Sequence, residues 1–193
     1  FGPIDLHKNS PSYGFITYTT KAVWANTDFG SRIHASLDLP VGFDTDVNAA
    51  SLGGHRWGAA KGLTSFLSLT IGTGIGGGGL INGHLLHGLV HPEMGHICLP
   101  RHIDDTYPGN CPFHNTESSY SCFEGLASGP AMAEGWGQSP QALDDGHRAW
   151  DLEAYYIAMA IVSYVCTLSP QRIIIGGGVM TREPLIGSIR KMV

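Results

Sequence analysis

The stretch that most restricts the fold lies near the end of the chain, where DLEAYYIAMAIVSYVCTLSP (151–170) runs directly into QRIIIGGGVM (171–180). Leu152, Tyr155, Ala158, Ile161 and Val165 recur at helical spacing, with Asp151 as candidate N-cap. Three consecutive isoleucines then read as a fully buried strand opening onto Gly176, Gly177 and Gly178. Helices mixed with buried strands imply an α/β layered protein.

The rest of the chain fits that class. SYGFITYTT (12–20) carries aromatic and β-branched residues suited to an extended segment, NTDFGSRIHASLDL (26–39) reads as a helix weakened by Gly30, and VGFD (41–44) follows Pro40 as a short buried strand. TDVNAASLGGHRWGAA (45–60) begins with good capping residues and continues as a helix. TSFLSLTIG (64–72) is a strand that ends in the glycine run GTGIGGGG, and LINGHLLHGLV (80–90) reads as a hairpin turned on Asn82-Gly83.

With 193 residues, 42% hydrophobic and 14% charged, the chain has the composition of a globular protein of one or two domains. A formal charge of −5 and no Lys/Arg run argue against nucleic acid or an anionic membrane as partner. A small neutral or metal-bridged ligand fits better. No apolar run approaches the ~20 residues of a bilayer span, and FGPIDLHKNS is no leader peptide, so a cytoplasmic location is expected. Four cysteines, with Cys98 and Cys166 in apolar contexts, are too few for a disulfide scaffold. The lack of an initiator Met and the helix-like ending PLIGSIRKMV lead us to expect a fragment.

Three motifs carry chemistry. Gly72, Gly74 and Gly77 satisfy G-x-G-x-x-G, but a dinucleotide site needs a helix after the glycines and here a hairpin comes next. Strand, glycine turn and strand can instead form a backbone cradle for phosphate, with the Thr73 hydroxyl beside it, or a hairpin without a ligand. Asp44 and Asp46 stand where a strand passes into a helix; either can cap that helix, the commoner use, or accept a proton from a substrate hydroxyl. Lastly, six of ten histidines fall between His84 and His114, closely followed by Cys122. A surface disulfide loop and a reactive thiol are the rival readings of Cys111 and Cys122. The pair Cys111-x-x-His114, Cys122 and an upstream histidine make a four-ligand zinc set. His91, His96 and His102 are the candidates for the fourth place, and His96 is preferred because Gly95 permits a tight turn before it.

FDTDVNAASLG, LTIGTGIGGG, HPEMGHICLPRH, DTYPGNCPFH, CFEGLASGPA and IIIGGGVM, in that order, resemble the ROK family of sugar kinases, and its fructokinase branch above all. The resemblance implies an actin-like, ribonuclease H-like fold of two lobes with ATP and sugar meeting between them. Residues 1–45 would be the remainder of the N-terminal lobe, and 46–193 the C-terminal lobe with a zinc loop over 96–122. It implies ATP-dependent phosphorylation of a hexose, with Mg²⁺ accompanying ATP and a homodimer as the assembly. Asp46 resembles the catalytic base; Glu93, His96 and Glu124 resemble sugar contacts. Thr73 and Gly74 resemble the second phosphate loop, and Gly176, Gly177 and Gly178 the adenosine-side turn. Zinc falls on His96, Cys111, His114 and Cys122, orienting His96 and Glu124 without taking part in the chemistry.

The chain departs from the family pattern in several places. The D-x-G-G-T-K-like loop with which family members begin is missing, and they continue beyond Val193, so this polypeptide alone is expected to be inactive. Thr45 stands where asparagine is usual, Gly54 where glutamate is common, and NTESSYS (115–121) is an insertion whose outward bulge zinc binding requires. Two rival functions come from other classes: a sugar-responsive repressor of the same fold, which would need a DNA-binding domain upstream, and a zinc-stabilised sugar-binding module without catalysis.

Overall fold

A computed structural model describes residues 3–19, 21–114 and 120–193, with the side chain of Tyr120 also outside the description. The 115–119 part of the expected insertion therefore lies outside the described residues.

The first elements are small. β1 (Phe15–Ile16) pairs antiparallel with β2 (Thr27–Asp28), and α1 (Phe29–Leu37) begins at once, capped by the Asp28 carboxylate, which accepts from Ser31 N at 3.1 Å. Among the described residues of 1–45, Ile16 is the one buried apolar side chain. The rest of the core is built by residues 60–189.

VGFD is not a strand: residues 39–45 run irregularly and only partly buried. Pro40 brings no N–H for a ladder, and no neighbouring strand pairs with the segment among the described residues. α2 (Asp46–Trp57) starts immediately afterwards, with Thr45 rather than Asp46 as N-cap: its hydroxyl accepts from Asn48 N at 3.2 Å.

The central sheet has the order β5-β4-β3-β8. β3 (Phe66–Ile71) and β4 (Ile75–Ile81) are joined antiparallel through residues 72–74, and β4 turns on Asn82 (φ 52°) and Gly83 (φ 81°) into β5 (His84–Leu85). β8 (Arg172–Gly176) lies parallel to β3 at the sheet edge. It is half-buried, not fully buried as its isoleucines imply, because one of its edges has no strand beside it among the described residues. Val47 and Asn48 of α2 rest against the backbone of Gly76 and Gly78, so four consecutive glycines in β4 let helix and sheet approach closely.

β6 (Cys98–Pro100) pairs antiparallel with β7 (Tyr120–Cys122), which passes directly into α3 (Phe123–Ala127) and α4 (Gly129–Trp136). α5 (Ala149–Leu168) buries Leu152, Tyr156, Ile157, Ile161 and Tyr164 against the sheet layer, and α6 (Glu183–Met192) packs along it through Leu185 and Ile189. Asp151 is not its N-cap. Arg148 holds that place without a side-chain bond, and Asp151 sits in the first turn, where a carboxylate also suits the helix dipole. Among the described residues only α5 is long and apolar enough to cross a membrane, and half of it is buried inside this fold, as in a core helix. Val165, counted on its apolar stripe, is exposed, as are Cys98 and Cys166.

Candidate active site and metal centre

The candidate metal centre is assembled from three separate pieces of chain. His96 ends the short 3-10 turn Met94–His96, Cys111 and His114 lie on one turn, and Cys122 ends β7. His96 Nδ1 stands 3.7 Å from Cys111 Sγ and 3.6 Å from Cys122 Sγ, and Cys111 Sγ stands 3.4 Å from His114 Nδ1. All four ligand atoms lie within 4.8 Å of one another. Zn–S of about 2.3 Å and Zn–N of about 2.0 Å give tetrahedral edges of roughly 3.3–3.8 Å, so these donors fit one ion with little movement. His91 and His102 are engaged elsewhere, His91 with Glu93 and His102 with Asp104. Without a metal, burial pushes the Cys122 thiol up to about 12; the Gly125 N–H donated to its sulfur opposes the rise and Cys111 adds to it. A bound divalent ion removes that proton outright.

Two outside contacts hold the His96 turn. The Tyr164 hydroxyl of α5 donates to Met94 O at 2.7 Å, and Ile97 O accepts from Phe123 N at 2.9 Å, tying the turn to the start of α3. Cys122 is also the N-cap of α3, its sulfur accepting from Gly125 N at 3.4 Å. Glu124 thus stands two residues beyond a ligand, on a helix whose first residue is bonded to the His96 segment.

Glu124 reaches the glycine turn. Its Oε2 accepts from Ile75 N at 2.8 Å, and a Cβ on Gly74 would come within 2.8 Å of the same oxygen. The missing side chain at Gly74 is what leaves room for this carboxylate over the loop. The turn is closed by Gly72 N donating to Gly74 O at 3.0 Å and braced by Gly129 N donating to Gly72 O at 2.8 Å. Two residues further along β4, Gly76 carries Val47, the neighbour of Asp46. Asp46 is exposed at the first position of α2, where its Oδ1 accepts from Val47 N at 2.8 Å. Gly176, Gly177 and Gly178 close β8 beside the same turn, with Gly177 (φ 106°) against Ile71 O and Gly178 N near Gly72.

Glu93 is held by its neighbour: His91 Nε2 stands 2.9 Å from Glu93 Oε1. That hydrogen bond, more than the opposing desolvation, keeps the Glu93 carboxyl below the ordinary glutamate range. Sequence reasoning missed a second cluster, in which Asp44 Oδ2 lies 2.9 Å from His87 Nε2 and Asp44 Oδ1 accepts from Asn48 Nδ2 at 2.9 Å. Asn48 Oδ1 in turn accepts from Gly79 N at 3.3 Å. The i, i+4 spacing of Asp44 and Asn48 across a helix start was the available signal; the partner His87 is 43 residues away and left none.

Fold and site together define an α/β scaffold in which a glycine turn lies under the Glu124 carboxylate, with a cluster of two cysteines and two histidines behind it. The ROK family profile matches residues 1–193, and the chain belongs to the ROK family. A Bacillus subtilis (strain 168) relative is 50% identical over 193 residues, covering all of this chain, and the fructokinase of Zymomonas mobilis subsp. mobilis is 42% identical over 194 residues, covering 99% of it. The chain spans 63% of the length of each of these two relatives. The crystal structure of the ROK hexokinase from Thermus thermophilus superposes with a TM-score of 0.76 at 27% identity, over 99% of this chain and 65% of that one. The sheet and helices described above are thus part of the actin-like ATPase fold of ROK sugar kinases.

Proposed function

We propose that the protein to which these residues belong transfers the γ-phosphoryl group of ATP to a hexose, with D-fructose as substrate and fructose 6-phosphate as product. The reading rests on one juxtaposition: the Glu124 carboxylate over Gly74 in the β3–β4 turn and, two residues on, Val47, beside Asp46, against Gly76 of β4. Fructose as the hexose rests on similarity to proteins named fructokinase.

In this reading Asp46 accepts the proton of the attacking hydroxyl, from an exposed position that leaves room for a sugar at the start of α2. Glu93, His96 and Glu124 bind the other hydroxyls, Glu93 fixed by His91 and Glu124 by Ile75 N–H. Thr73 and Gly74 present the phosphate turn, and Gly176, Gly177 and Gly178 the adenosine side. Mg²⁺, brought with ATP, supplies charge neutralisation at the phosphate oxygens. His96, Cys111, His114 and Cys122 hold Zn²⁺, which supplies a cross-link and no reaction step. A homodimer and a cytoplasmic location rest on family membership alone.

The experiment is a coupled ADP-release assay of the full-length protein against fructose, mannose, glucose and N-acetylated hexoses. Highest kcat/KM with fructose supports the proposal. Turnover that favours another hexose corrects the substrate, and sugar binding without ADP release from any of them contradicts kinase function.

A further inference from the structure

A cavity of about 420 Å³ opens between the 104–107 loop, α4 and α5 and shares no residue with the sugar and phosphate residues assigned above. That is the size of a small-molecule site. Four acidic side chains line it, Asp104, Asp105, Glu134 and Glu153, against a single basic one, Arg148. Asp104 is paired with Arg148 at 3.4 Å, and Asp105 accepts from the Tyr156 hydroxyl at 2.5 Å and from Tyr107 N at 2.9 Å.

Among the described residues Glu153 has no such partner. It is 2% exposed, on the inner face of α5, and its Oε1 is buried without a hydrogen bond. Burial alone raises its carboxyl well above the ordinary range. A buried acid left without a partner is costly and calls for an occupant. The walls are fixed as a binding site requires. Arg101 donates to the carbonyls of Tyr107 and Pro108, and the Tyr107 ring lies flat on Gly135, where a Cβ would meet ring Cγ at 3.2 Å.

We propose that this cavity binds a small organic cation bearing a primary ammonium group, of the alkyl diamine class, with Glu153 as its buried partner and Glu134 at the mouth. The excess of acidic over basic groups attracts cations, an ammonium brings donors to the Glu153 carboxyl that lacks one, and Tyr107 and Trp136 add aromatic surface. A bare metal ion fits less well. Among the described residues, the one set of three or more His, Cys, Asp and Glu that brings its ligand atoms together is the His96–Cys122 centre.

Calorimetric titration of the full-length protein with 1,4-diaminobutane, and separately with 1,4-butanediol, tests the proposal. Saturable binding of one diamine per chain, no binding of the diol, and a loss of about tenfold or more in affinity in Glu153→Gln are expected. Glu134→Gln, a substitution at an exposed position, should weaken binding in the same direction should Glu153→Gln not fold. Absence of saturation, equal affinity for diol and diamine, or unchanged affinity in the folded variants overturns it.

Discussion

Asp46 and Glu93 are the two carboxylates whose surroundings make the sharpest demands. Thr45 takes the capping role at the start of α2, and the Asp46 carboxylate, which accepts from its neighbour's N–H, is exposed and free to meet a hydroxyl. Asp46→Asn in the full-length protein should lower kcat by about 10²–10⁴, with little change in the KM for sugar, as expected for loss of a general base. An equal fall in sugar affinity would assign Asp46 to binding instead. Glu93 makes a different prediction. Its folded carboxyl titrates below the ordinary glutamate value because His91 bonds its anion. Its contribution to stability is therefore present above the unfolded value and lost as pH falls through the lower folded one. In His91→Ala the Glu93 carboxyl should titrate at higher pH, followed by ¹³C NMR across the acid range. No movement would mean that the bond does not hold the anion.

At the level of elements, the links between them carry the site. α5 reaches the metal turn through one hydroxyl, that of Tyr164 on Met94 O, and burial raises that phenol above its ordinary range. Tyr164→Phe should cost about 1 kcal/mol in thermal or chemical denaturation, with the core otherwise filled. A larger loss together with a drop in bound metal would show that the bond holds the His96 turn in register. Gly74→Ala should displace the Glu124 carboxylate and raise the KM for sugar more than it lowers kcat. How far these elements were legible in the sequence depends on how local their causes are. The β3–β4 turn and the Asn82-Gly83 hairpin are set by neighbours within a few residues, and each was readable; the start of α2 was readable too, although Thr45 caps it rather than Asp44 or Asp46. VGFD and β8 were misjudged because burial depends on what lies alongside: VGFD has no pairing strand among the described residues and β8 is an edge. The metal ligands lie at the border between these cases. The spacing of Cys111 and His114 was visible, whereas His96 was chosen over His91 and His102 on Gly95 and on the resemblance to the ROK family. The Asp44–His87 contact crosses from α2's start to a distant loop, and no pattern announced it.

For the molecule as a whole, the four-residue Cys/His cluster joins segments that the sheet does not. The His96 turn, the Cys111–His114 turn and the β7–α3 junction meet at four side-chain atoms, and Glu124 continues directly from that junction to the β3–β4 glycine turn. Removing the ion should leave two buried thiols and two imidazoles without a common partner, and the chain should melt at a lower temperature in the presence of a chelator. Readdition of Zn²⁺ should restore it. The measurement that tests this arrangement most directly is zinc-edge X-ray absorption on protein purified without added metal. We predict stoichiometric zinc with two sulfur ligands at about 2.3 Å and two nitrogen ligands at about 2.0 Å. A metal-free protein, or a shell of oxygen ligands, would contradict it.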